Sequence, residues 1–156
     1  MGAIRIRVAK DKADLVKSLV AAHDTTGPFQ TYADAIAFAA ALGAKWKKRV
    51  PLGVIAKKEP APIGLEIFVS RGYDVLIKVL ALVETKEAKI LSSFQEKSEE
   101  ERIHIFEEYA NGGLEILQDE FRRGVLDYTD QLLLVLSNEK FKKETVEGEF
   151  DLSRFL

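Results

Sequence analysis

Thr31 to Gly43 reads TYADAIAFAAALG, and from Ala33 to Leu42 every residue except Asp34 is apolar. A surface helix keeps one polar face. This stretch has none, so it predicts a helix enclosed by neighbours over most of its circumference, with recurring alanines that let other backbones approach closely. Thr31, with Asp34 three residues on, has the form of an N-terminal cap, and Gly43 reads as the C-terminal stop.

Working outward toward the N-terminus, Ile4-Arg5-Ile6-Arg7-Val8 alternates apolar and basic residues. That period of two predicts a half-buried strand whose arginines share the solvent side. Asp11 to Ala22 predicts a helix with Asp11 and Asp14 spaced as cap and third-position acid, and Leu15, Val16, Leu19 and Val20 as its stripe. His23 to Pro28 breaks it, and Phe29 docks before the enclosed helix begins. Beyond Gly43 comes Lys45-Trp46-Lys47-Lys48-Arg49, then a stretch over 50 to 64 holding Pro51, Pro60 and Pro62, which reads as loop. Leu65 to Val69 fits a second short strand or an extended lead into the next helix. Gly72 to Glu84 predicts an apolar helix, and Ala88 to Leu91 a further turn. Ser98 with Glu101 has the form of a capping box that starts the longest helix, whose inner face is marked by Ile103, Phe106, Ala110, Leu114, Leu117 and Phe121. Asn111-Gly112-Gly113 interrupts that helix. Each interior glycine costs about 1 kcal/mol against alanine, so the pair marks either close packing of another backbone or a kink. Gly124 ends it, Tyr128 to Phe141 predicts a last helix, and Glu144 to Leu156 an acidic tail.

The 156 residues are 47% hydrophobic and 31% charged, with no cysteine and a net charge of -2. This is a soluble globular composition without disulfides or thiolate metal sites. No segment reaches the roughly 20 apolar residues that span a bilayer, and the first residues carry no signal-peptide pattern, so the expectation is a cytoplasmic protein with no membrane contact. The charge is segregated. Residues 1–58 hold 11 Lys+Arg against 4 Asp+Glu, and residues 59–156 hold 12 against 21, balances of +7 and -9. Such polarity means either a nucleic-acid face and a partner face, or two halves that attract each other. The expected fold is therefore mainly α: a compact helical domain with one or two short β-strands. It comprises a basic strand-helix-helix segment over 1–50, a loop over 51–64 and an acidic helical segment over 65–156, packed with the first as one domain.

Catalytic chemistry finds little purchase. With two histidines, no cysteine and no Gly-x-Ser-x-Gly, nucleophile–base pairs are hardly available, and no glycine-rich loop after a strand suggests phosphate binding. Glu101-x-x-His104 matches half of a carboxylate-bridged dimetal site but lacks a second copy, because His23 has no glutamate three residues before it. No metal, cofactor or catalytic residue is assigned. Glu107, Glu108 and Glu115 form an acidic cluster that reads as a solvated face or as a protein-contact surface.

A short strand with outward arginines followed by two helices is the layout of ribbon-helix-helix DNA binders, in which two chains pair their strands in the major groove. On that reading the protein is a homodimer. Arg5 and Arg7 then reach bases, while Lys10, Lys12 and the helix start near Thr31 and Tyr32 hold phosphates. Lys45, Lys47, Lys48 and Arg49 flank the duplex, or else sit at the negative end of the helix they follow.

Taken together, GPFQTYADAIAFAAALGAKWKKRVPL (27–52), LEIF (65–68), ETKEAKIL (84–91) and IFEEYANGGLEIL (105–117) resemble the DNA phosphorothioation (Dnd) system-associated protein 4 family. These stretches identify a family and carry no catalytic motif. The resemblance implies a small bacterial protein encoded with machinery that replaces a phosphate oxygen of DNA by sulfur, or with the restriction partner that uses the mark in phage defence. The expectation is a non-catalytic accessory protein contacting DNA, plain or phosphorothioated, through its basic half. The alternative is an assembly factor that meets other proteins of the system and no DNA.

Overall fold

A computed structural model describes residues 3–22, 25–122 and the isolated positions 132, 133, 136 and 137. The fold is mainly helical. Its elements are β1 (Arg5–Ile6), a 3-10 turn (Lys10–Lys12), α1 (Ala13–Ser18), β2 (Ala21–Ala22), β3 (Thr25–Thr26), α2 (Tyr32–Lys45), β4 (Ile63–Gly64), α3 (Leu65–Ser70), α4 (Asp74–Thr85), a second 3-10 turn (Ala88–Leu91) and α5 (Glu96–Arg122). No helix among the described residues is long and apolar enough to cross a membrane.

α5 is the axis. Every residue from Ile105 to Leu114 is buried, so the middle of this helix is enclosed on all sides even though it contains two glutamates and an asparagine. α2 packs along it, itself burying Ala33, Ala35, Ile36, Ala37, Ala39, Ala40, Leu42 and Gly43; Phe38 is partly buried against the same core. The contact is backbone to backbone. A Cβ on Gly113 would collide with the Ala39 carbonyl, and a Cβ on Gly43 would collide with the Tyr109 carbonyl and lie 2.9 Å from the Gly113 nitrogen. Of the two readings of Asn111-Gly112-Gly113, close packing is the one realised, and α5 runs through the glycines without a break.

Thr31 caps α2 as expected, its Oγ1 accepting from the Asp34 N–H at 3.2 Å. Gly43 does not stop the helix, which continues to Lys45; its lack of a side chain serves the approach to α5. The helix expected over Asp11 to Ala22 is shorter, because Lys10–Lys12 is a 3-10 turn with no side-chain cap and Val20 bridges to Phe29 in an extended path. Leu65 to Val69 is helical, and Ser98 lies inside the first turn of α5, donating its hydroxyl to Lys89 O at 3.4 Å. The expected stop at Gly124, the last helix and the acidic tail lie outside the described residues, apart from the helical positions 132, 133, 136 and 137.

The alternation in Ile4–Val8 is realised, with Ile6 and Val8 buried and Arg5 and Arg7 exposed. Its partner is the chain's own loop. Arg5 pairs with Gly64 and Ile6 with Ile63 in antiparallel register; farther along, Ala56 N donates to Val8 O at 2.9 Å and Lys10 N to Val54 O at 2.8 Å. A ribbon-helix-helix needs this strand to pair with the same strand of a second chain. Here the strand pairs instead with residues 54–56 and 63–64 of its own chain. One hydrophobic cluster joins residues of both charge halves, from Ile6 and Ile36 to Phe68, Phe106 and Leu117. Within it Phe68 meets Phe106 edge to face at 5.7 Å.

Candidate functional site

The middle of α5 carries the carboxylates that the sequence places on a solvated or partner-binding face. Glu107 and Glu108 are instead buried, at 1% and 7% exposure. A buried carboxylate is tolerated only when paired and hydrogen-bonded, and the basic half supplies the partners. Arg7, leaving β1, donates its backbone N–H to Glu107 Oε2 at 2.6 Å, its Nε to the same oxygen at 2.9 Å and its Nη2 to Oε1 at 2.9 Å. This is the two-pronged geometry a planar guanidinium favours. Arg49, beyond the end of α2, donates Nε to Glu108 at 2.7 Å and Nη1 to Glu84 at 2.9 Å, linking α4 to α5. Tyr109 donates its hydroxyl to the other oxygen of Glu84, and His104 Nε2 lies 3.3 Å from Glu108. Lys48 Nζ sits 3.6 Å from Glu115.

A second network was not visible in the sequence. Asp34, in the first turn of α2, receives Arg71 through two contacts of 2.7 Å and the Tyr73 hydroxyl at 2.5 Å. The first turn of α2, expected to hold phosphates, thus carries a carboxylate engaged by the chain's own cation and phenol. Tyr32 in turn donates to Glu59.

Of the residues expected to touch DNA, Arg7, Lys48 and Arg49 are thus ion-paired within the chain. Lys12 is buried at 4% exposure with its Nζ 3.1 Å from Asp11. Arg5, Lys10, Lys45 and Lys47 are exposed. Half of the eight are thus held by the chain's own acids. Arg71 and Tyr73, the missed partners, lie 37 and 39 positions from Asp34 and leave no local spacing to read.

The electrostatics are those of saturated ion pairs. The Tyr109 hydroxyl and Arg49 hold Glu84 below the ordinary carboxylate range against the opposing effect of burial. Burial of Asp34 pushes its pKa up, but the hydrogen bonds from Tyr73, Arg71 and Thr31 outweigh it and leave the group lowered. Burial and the bond to Glu84 push the Tyr109 phenol up to about 12, and the bond to Glu59, with burial, does the same for Tyr32. None of these four is poised to exchange a proton near neutrality. Among the described residues no group of three or more His, Asp or Glu gathers to hold a metal ion.

These directions fix a pH profile. Depressed carboxylates stabilise the fold above their unfolded pKa, near 4, and that stability is lost as pH falls through their folded values. Raised phenols stabilise it below about 10, and that stability is lost as pH climbs from there toward about 12. The thermal midpoint is therefore expected to be flat around neutrality and to fall on both sides. Tyr109→Phe should shallow the alkaline fall, since Phe has no proton to lose. An ultraviolet difference titration that places the Tyr109 phenolate near 10 would refute the buried Tyr109–Glu84 bond.

Comparison with curated proteins and with solved structures returns no match. The family comparison does: over residues 5–155 the chain matches, and therefore belongs to, the DNA sulphur modification system-associated protein 4 family, whose name ties it to a DNA sulphur modification system.

Proposed function

We propose that the chain serves that system as a non-catalytic accessory protein that touches DNA through exposed cations of its N-terminal half. The absence of catalysis is supported by the saturation of Glu84, Asp34, Tyr109 and Tyr32, whose protons are held far from neutral pH. The observation that carries DNA contact is the division of the basic residues. Arg7, Lys12, Lys48 and Arg49 serve the fold, whereas Arg5, Lys10 and Lys47 stand in solvent with no ion-pair partner among the described residues. Solvent-facing cations without an internal partner are what counterion-releasing contact with phosphates requires.

A second reading, an assembly factor without DNA contact, is favoured by the same ion pairs, which withdraw half of the candidate cations from phosphates. A gel shift with plain and phosphorothioated duplexes across a salt series separates the two. The DNA reading expects a shift that weakens steeply with salt, with a logarithmic slope of about 0.9 per phosphate neutralised. No shift at the lowest salt would leave the assembly reading standing and remove the first.

A further inference from the structure

The loop over 50–64 does more than pair with the N-terminal strand. Between the Ala56 N–H bond to Val8 and the pairing of Ile63 with Ile6, residues 57–62 are left over: Lys57, Lys58 and Glu59 face solvent, held by the Tyr32 hydroxyl on Glu59 and by Ala61 N donating to Lys58 O at 3.3 Å, while Ala61 packs into the core. This segment sets Lys57 and Lys58 beside Lys10. The three lysines line one cleft of about 390 Å³, whose apolar side is Ala13, Val54, Ile55 and Ala56.

Charge distinguishes this cleft from the one beside β1, where Arg5, Arg7 and Lys97 are matched by Glu100, Glu101 and Glu107. Here three cations face a single acid, Glu59, and that acid already accepts from Tyr32. All three lysines are exposed and none has an ion-pair partner among the described residues. The neighbouring acid Asp11 is engaged by Lys12 at 3.1 Å. Val54, 71% exposed, forms an apolar lip where a surface loop ordinarily presents a polar side chain.

We propose that this cleft is a binding site for the sugar-phosphate backbone of a nucleic acid, with Lys10, Lys57 and Lys58 on successive oxyanions and Val54 against the sugar edge. The proposal rests on the DNA-contact reading above and adds to it a loop, 50–64, that the prolines alone would leave without a role. Lysine is a compact point charge on a flexible stem, suited to following phosphates without reading bases. The site therefore binds without sequence preference.

The test uses the full chain and DNA duplexes of one sequence, with plain or sulfur-substituted linkages, titrated across a salt series. The triple variant Lys10→Ala, Lys57→Ala, Lys58→Ala is expected to lose about tenfold or more in affinity, and its logarithmic salt slope to fall by roughly 3. Its thermal midpoint should be unchanged, since no side chain replaced is buried. The triple Lys→Arg variant keeps the charge and should bind like the parent. Equal loss on both duplexes assigns the site to the ordinary phosphodiester, and loss confined to the substituted duplex assigns it to the sulfur-bearing one; both support the site. Unchanged affinity and slope in the alanine variant, with the parent binding, overturn the cleft and leave DNA contact to Arg5 and Lys47. A parent that binds neither duplex at any salt overturns the cleft and the DNA reading together.

Discussion

Gly113→Ala is expected to destabilise the protein by about 3 kcal/mol or more, a large loss for a single methyl group. In a chain of this size that is a fall of about 6 to 12 °C in the thermal midpoint. The sign is the informative part. In an exposed helix interior, alanine in place of glycine stabilises by about 1 kcal/mol through helix propensity and the entropy of the unfolded chain. At Gly113 the added carbon lands on the carbonyl of Ala39, inside α2, where the oxygen cannot yield without moving the helix. Gly43→Ala meets the Tyr109 carbonyl of α5 from the opposite side and should behave alike. Gly112→Ala should cost less, because its obstacle is the carbonyl of Lys48 in the segment after α2, which is free of a helical ladder. Ala41→Gly, on the exposed side of α2, is the control and should lose only the propensity difference. A midpoint that rises for Gly113→Ala would mean that α2 and α5 do not meet at van der Waals range.

That contact shows what was legible beforehand. Alanines all round Ala33–Leu42 and two glycines in the long helix are each a local cost in side-chain burial or helix propensity. Both are explained by backbones meeting, so the enclosed helix and its close neighbour could be read separately, though not that they were each other's partner. The N-terminal strand was equally legible as a strand. Its partner was not, because Val54, Ile55 and Ile63 sit among prolines and glycines that signal a loop. The signal available was a physical requirement: a strand with one buried face must fill its ladder, and Val54, Ile55 and Ile63 are apolar residues in a stretch with no other assignment.

The carboxylates were misread for a different reason. Glu107 and Glu108 fall within a helix whose Glu100 and Glu101 do face solvent. Periodicity treats every glutamate as an outward residue. It cannot register that Arg7, 100 positions away, neutralises one of them. The segregation of charge between the halves was the visible trace of this, and of its two readings, mutual attraction is the one these ion pairs realise.

Arg7→Ala should consequently act on stability first and on DNA hardly at all. Glu107, 1% exposed, would keep only the Arg7 backbone N–H of its three donors, leaving a carboxylate in the interior without a counter-charge. Removing one partner of a buried pair costs roughly 3 to 5 kcal/mol, whereas replacing both by uncharged groups is often close to neutral. Because the Arg7 side chain is 43% exposed and water enters when it is truncated, the lower end applies, about 3 kcal/mol. Arg7→Lys keeps the charge but not the fork and should fall between. The double variant Arg7→Met with Glu107→Gln should recover most of the loss, since the amide still accepts from the backbone N–H. Measured well below the midpoint, Arg7→Ala should bind DNA as the parent does, while Arg5→Ala, at a residue with no ion-pair partner among the described residues, should bind more weakly at full stability. Loss of sequence preference in a fully folded Arg7→Ala protein would return Arg7 to the role of base reader. A double variant no more stable than Arg7→Ala would show that the charge of Glu107 is not what makes the single change costly.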